Sequence, residues 1–277
     1  MTEVQNLAKS ISLRYGTIKR ARGCFLYTEK GIRLTDLYQE GGRAILGWGG
    51  KGAFTILKNV LERGITGSYF TDFSLSSTKY KSQLSRALSQ LFAGDRTAYM
   101  FKSKNEALQA AIKISPDSTS IYRPWNPENI DWRDVDCIIF TPALPWTDDI
   151  YILVVKDGLV GVSDECKIPN VDFENANQLS APICAAVTRS VFDLIKALQE
   201  REEKHWFIFD KILTKYWTRK GPYLFPKISQ DEYSAFVEHC LECELVISPE
   251  YNQPSIVPFG AALGAFRKLE KNPYGSN

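Results

Sequence analysis

Residues 97–113 read T-A-Y-M-F-K-S-K-N-E-A-L-Q-A-A-I-K. Thr97 to Phe101 form a short run of strand character, and from Ala107 onward small and apolar residues recur at helical spacing. The two are joined by one tight turn, so a strand runs directly into a helix. Ser103, Lys104, Asn105 and Glu106 occupy the helix start. Backbone N–H groups there lack intrahelical acceptors and sit at the positive end of the helix dipole, which suits an anion. The plainer use of the same residues is a cap, with Ser103 as N-cap and Glu106 as its partner three residues on.

Two more strands follow. D-C-I-I-F (136–140) reads as a strand, and I-Y-I-L-V-V (150–155) is apolar throughout, the pattern of a sheet covered on both faces. Upstream, Ala53–Arg63 and Ser76–Phe92 read as amphipathic helices, the second carrying Leu84, Leu88 and Leu91, with Gly64 and Gly94 as stops. Residues 23–38 alternate around Glu29-Lys30-Gly31, which predicts a hairpin with glycine where φ is positive. Gly158 to Leu179 is polar and turn-rich and reads as a connection. Beyond it, A-A-V-T-R-S-V-F-D-L-I-K-A-L, H-W-F-I-F-D-K-I-L-T-K-Y-W and D-E-Y-S-A-F-V-E-H-C-L each predict a helix. E-L-V-I-S-P and S-I-V-P predict short strands, and G-A-F-R-K-L-E-K a closing helix. The middle of the chain is therefore α/β and its C-terminal third α+β.

Composition narrows the function classes. The 277 residues are 44% hydrophobic and 24% charged, as in ordinary globular proteins. A net charge of +2 supplies no field for nucleic acid or a membrane surface, so neither is expected as a partner. The start M-T-E-V-Q-N-L-A-K-S lacks a targeting pattern and no apolar run is long enough to span a bilayer, so a cytoplasmic location is expected. Cys24, Cys137, Cys166, Cys184, Cys240 and Cys243 are scattered through apolar segments and read as reduced core thiols. Cys240 and Cys243 form a C-x-x-C beside His239, but no second ligand pair exists, so no metal is expected. A nucleophile elbow, a Walker loop, H-E-x-x-H and G-x-G-x-x-G are absent, and His205 and His239 are the chain's two histidines, which leaves little for a histidine-based hydrolase.

Residues 34–48, L-T-D-L-Y-Q-E-G-G-R-A-I-L-G-W, set Gly41, Gly42 and Gly47 among Asp36, Glu40 and Arg43. Such glycines serve either backbone bends or close approach to a ligand. Gly42, Arg43 and Trp48 are the candidate ligand-binding residues, because a guanidinium among glycines can fork onto a carboxylate or phosphate. R-P-W-N-P and T-P-A-L-P-W place Trp125 and Trp146 in proline-bounded turns, where an aromatic ring either covers a ligand or packs a rigid loop against a sheet.

Three segments carry a family likeness. R-A-R-G-C-F-L-Y-T-E-K-G-I-R-L-T-D-L (20–37) resembles the opening hairpin of the class III aminotransferases, the pyridoxal-phosphate enzymes of fold type I that include glutamate-1-semialdehyde aminomutase. F-K-S-K-N-E-A-L-Q-A-A (101–111) resembles their S-G-T-E-A-x-x-A-A segment, where a helix start holds the cofactor phosphate. Q-L-S-A-P-I-C-A-A-V-T-R-S-V-F-D-L-I (178–195) is similar to their N-P-x-x-x-A-A helix, which leads into the small domain. The resemblance implies an α/β fold with a truncated fold-type-I large domain and a smaller α+β domain built from the N-terminal hairpin and the C-terminal third. The expected division is 1–50, 51–178 and 179–277, and the implied assembly is a homodimer. Ser103, Lys104 and Asn105 are then the remnant of a pyridoxal-phosphate loop.

The likeness has gaps where the chemistry should be. Such an enzyme needs a lysine for the internal aldimine, an aspartate on the pyridine nitrogen and a stacked aromatic ring. The stretch between Lys104 and Pro182 is far shorter than the family uses, Trp48 stands where the family has histidine, and Lys104 replaces a phosphate-loop glycine. V-S-D-E-C-K-I (162–168) holds Asp164 and Lys167 too close together to serve opposite sides of one ring, and reads as a solvated loop. The resulting expectation is a pseudoenzyme without a cofactor that binds a small anionic metabolite or a true aminotransferase subunit. The alternative is an active pyridoxal-phosphate aminotransferase or aminomutase using an unrecognised lysine, with Lys156 and Lys167 as the residues to mutate.

Overall fold

The computed structural model describes residues 2–66, 74–128, 130–146, 149–159 and 179–275, with side chains from residue 82 onward in the helix that opens at Ser74. The chain falls into two compact units. One comprises Met1–Gly49, Trp125–Pro127 and Leu198–Asn277, the other Gly50–Pro124 and Glu128–Ala197.

The first unit opens with helix α1 (Glu3–Tyr15), begun by a capping box in which Thr2 and Gln5 satisfy each other's backbone N–H. Leu7 and Ile11, one turn apart, are its buried side, and it stops at Gly16, where φ is 78°. Strands β1 (Ile18–Arg22), β2 (Phe25–Thr28) and β3 (Arg33–Asp36) form an antiparallel meander. The β2–β3 turn carries Gly31 at φ 78°, as its sequence requires.

In the second unit, α2 (Gly52–Glu62) and α3 (Ser74–Phe92) precede β4 (Arg96–Phe101), α4 (Lys104–Ile114), β5 (Thr119–Ile121), β6 (Cys137–Phe140) and β7 (Tyr151–Lys156). The sheet order is β4-β7-β6-β5, with β7 antiparallel to both neighbours and β5 parallel to β6. Ala107, Ala110 and Ala111 bring α4 close against Cys137, Ile139, Leu153 and Val155 on one face. Phe140, on the alternate position, meets Phe92 and Tyr122 edge-on or tilted at ring distances of 6.0 and 5.9 Å. The sheet is thus covered on both faces, as the unbroken apolar run over 150–155 predicts. Helix α5 (Ala181–Glu200) lies in this unit except for its last residues, and its Asp193 accepts the Gly52 N–H that opens α2 at 3.0 Å.

The chain then returns to the first unit through α6 (Lys204–Phe207), α7 (Asp210–Leu213), β8 (Trp217–Lys220), β9 (Tyr223–Pro226), α8 (Gln230–Glu242), β10 (Leu245–Val246), β11 (Ser255–Ile256) and α9 (Arg267–Lys271). Strand β10 joins the N-terminal meander, pairing parallel to β3 through Leu245–Thr35 and Val246–Asp36. Here the single helix expected over residues 205–217 is corrected. It is two short helices and the start of a strand. Asp210 is drawn onto Arg219 of β8 by two hydrogen bonds, of 2.5 and 2.8 Å, and Trp217 is extended in the β8–β9 ladder and buried against Phe236. Apolar spacing alone could not register that ladder.

Cys24, Cys137, Cys184, Cys240 and Cys243 are buried and in no disulfide, as core thiols should be, while Cys166 lies outside the described residues. No group of three or more potential metal ligands occurs among the described residues, and no described helix is long and apolar enough to cross a membrane.

Candidate functional site

The helix start of α4 lies at one edge of the second unit's sheet. Ser103 is the N-cap by backbone geometry (φ −125°, ψ 135°), and Ala107 N–H reaches its carbonyl at 3.1 Å. Its side chain makes no capping hydrogen bond, so the expected Ser103–Glu106 box is not formed. Lys104, Asn105 and Glu106 are exposed. An anion there would meet the favourable dipole end but also the Glu106 carboxylate in the same turn.

Strand register tests whether a lysine can serve a cofactor held at this edge. Phe101, the last residue before the α4 turn, pairs with Tyr151, and Arg96 at the far end pairs with Lys156. Lys156 is therefore at the opposite end of the strand, roughly 16 Å away at about 3.3 Å per residue. That is beyond a lysine side chain's reach. The β6–β7 connection, residues 141–150, reads T-P-A-L-P-W-T-D-D-I and has no lysine. Lys102 and Lys104 do lie at this edge, but both are exposed, without the buried setting that keeps water from a Schiff base. Asp164 and Lys167 lie outside the described residues. None of Lys102, Lys104 and Lys156 thus fits a lysine bound to a pyridoxal phosphate held at the α4 start.

In the first unit the glycine-rich stretch is built around one carboxylate. Asp36 is 1% exposed and closes β3. Its Oδ1 accepts the Tyr38 and Gln39 N–H groups at 2.9 and 2.8 Å, and its Oδ2 accepts the Trp48 indole N–H at 2.7 Å. Burial raises its carboxyl to about 6 against the lowering effect of those three donors. Wrapping a chain this tightly needs four consecutive left-handed residues, Gln39, Glu40, Gly41 and Gly42, with φ of 50°, 50°, 65° and 100°. Gly41 also lets Gln253 approach, since a β-carbon there would lie 2.7 Å from its side-chain nitrogen. Glycine here answers both bend and close approach, and Trp48, on sequence a ligand-facing ring, spends its polar atom on Asp36.

Replacing Trp48 with Phe keeps a ring and removes that donor. The expected cost is about 1–2 kcal/mol in chemical denaturation. The Asp36 titration, followed by carboxyl NMR, moves upward from about 6.

Arg43 is half-buried in this loop and opposes the burial-driven rise of the Tyr38 hydroxyl. A second arginine, silent in the sequence, arrives from the end of α5. Arg201 is 7% exposed, and its Nη1 donates to the Ile45 carbonyl at 2.9 Å. Its guanidinium carbon lies 4.1 Å from the Phe259 ring centre and 5.1 Å from that of Trp125. Burial lowers it to about 10, with Glu200 as the opposing charge, and no acidic side chain forms an ion pair with it among the described residues. Nothing in R-E-E-K-H marked it, because the partners lie far away in sequence.

The chain aligns with solved aminotransferases over nearly their whole length. Ornithine aminotransferase from Plasmodium yoelii matches with a TM-score of 0.62 at 14% identity, covering 98% of this chain and 97% of that one. The fold is aminotransferase-like. Acetylornithine aminotransferase from Elizabethkingia anophelis (TM-score 0.65, 12% identity, 92% of each chain) and an omega-transaminase from Sphaerobacter thermophilus (0.59, 12%, 90% and 88%) share this aminotransferase-like fold. By sequence, an uncharacterized protein of Treponema pallidum (strain Nichols) is 26% identical over 286 residues, covering 88% of this chain and 90% of its own. One of Borreliella burgdorferi is 25% identical over 261 residues, covering 92% and 88%. No family model matches.

Proposed function

We propose that this chain uses an aminotransferase-like fold to bind a small anionic metabolite, without lysine-dependent catalysis, as a homodimer in the cytoplasm. The observation that carries the reading is the β4–β7 register, which puts Lys156 at the strand end opposite the α4 start. Ser103 and Asn105 at that start, and Gly42, Arg43 and Trp48 in the other unit, are the residues proposed to face ligands.

The test is to incubate the full chain with pyridoxal phosphate, reduce with borohydride and measure intact mass. The expected result is no mass increment and no absorption band of a lysine adduct. A reduced adduct overturns the reading in favour of an active aminotransferase or aminomutase, and peptide mapping then decides among Lys102, Lys104 and Lys167. Sedimentation velocity tests the homodimer, for which a monomer at micromolar concentration is the contrary outcome.

A further inference from the structure

We propose that Arg201 is the anchor of a carboxylate site in the first unit, taking a small carboxylate with a planar apolar body. This rests on the anion-binding reading above and names the ligand class and the residue. Three observations lead to it. Arg201 is buried without an ion-pair partner among the described residues, a costly placement unless a charge is supplied to it. One edge of its guanidinium is fixed, because Nη1 is committed to Ile45. The side-on edge formed by Nε and Nη2 makes no hydrogen bond among the described residues. That edge is the geometry that two carboxylate oxygens accept in parallel.

The rings around it fix its plane and define the rest of the ligand. Phe259 lies over the guanidinium while remaining 40% exposed, and His205 stands edge-on to the same ring at 5.1 Å. Trp125 flanks it from a loop held at φ 59°, and its indole nitrogen is buried with no acceptor among the described residues. The left-handed tryptophan and its unsatisfied donor are both energetic costs, and they fall together beside the Arg201 guanidinium. An aromatic or otherwise flat body would extend from the fork across the exposed Phe259 ring.

Benzoate is the probe, with benzamide as its neutral isostere and inorganic phosphate as the other anion. Benzoate is expected to raise the melting temperature of the full chain in proportion to the logarithm of its concentration. Benzamide and phosphate are expected to do much less. Arg201→Gln abolishes the benzoate shift, and Arg201→Lys, which keeps the charge but lacks the fork, weakens binding by about tenfold. Phe259→Ala, at a half-open position that leaves the fold intact, weakens benzoate several-fold, so the proposal stays testable if Arg201→Gln does not fold.

A benzoate shift unchanged in both Arg201→Lys and Phe259→Ala overturns the assignment while leaving anion binding elsewhere in force. Protection by phosphate that exceeds benzoate overturns the carboxylate class. A pyridoxal phosphate adduct together with Arg201-dependent benzoate binding removes the non-catalytic reading and keeps this site.

Discussion

Gly221→Ala is expected to lower the unfolding free energy by about 3 kcal/mol, against about 1 kcal/mol for Gly23→Ala or Gly31→Ala. All three glycines have positive φ, at 56°, 60° and 78°, so each pays a similar backbone penalty for a side chain. The difference is space. A β-carbon at Gly221 would lie 2.2 Å from the backbone carbonyl oxygen of Trp125, whereas nothing lies within 4 Å of one at Gly23 or Gly31. Relief requires moving either the β8–β9 turn or the Trp125 loop. The β8–β9 turn is held by the Lys220–Tyr223 pair, and Trp125 is packed on Trp206 and Arg201. Urea unfolding followed by tryptophan fluorescence measures all three, and an equal loss at each position would show that the Trp125 carbonyl yields freely.

Asp36→Ala is expected to cost about 2–4 kcal/mol, because it strips the acceptor from two buried backbone N–H groups and the Trp48 indole at once. Asp36→Asn is different, since an amide still offers one acceptor oxygen and carries no charge. The pH dependence separates charge from hydrogen bonding. The folded-state carboxyl titrates at about 6 against 3.8 for the ordinary group, so the folded chain binds this proton more tightly than the unfolded one. Stability from this group is therefore full below about pH 4 and is lost as pH rises through about 6. The stability of the wild type relative to Asp36→Asn should fall by roughly 2.5 kcal/mol between pH 4 and pH 7.5. A pH-independent difference between the two would mean that Asp36 ionises in the folded chain as freely as in the unfolded one.

Local pattern carried much of the architecture. Gly31 placed the β2–β3 turn, the unbroken apolar character of Ile150–Val155 announced a sheet covered on both faces, and helical spacing located α4, α5 and α8. These are decided by residues within a turn or a strand of one another, so a sequence can show them. The likeness of three segments to the class III aminotransferases led to the fold that the solved structures share.

What the chain's chemistry rests on was decided elsewhere. That Lys156 falls at the wrong strand end follows from pairing with Arg96, and the break of the expected 205–217 helix from the pull of Arg219 on Asp210. Arg201 meets the Ile45 carbonyl across 156 residues of chain, and Asp36 gains its raised proton affinity only once Gln39, Tyr38 and Trp48 close over it. Burial and register depend on partners distant in sequence, and no window of residues contains them until the chain has folded.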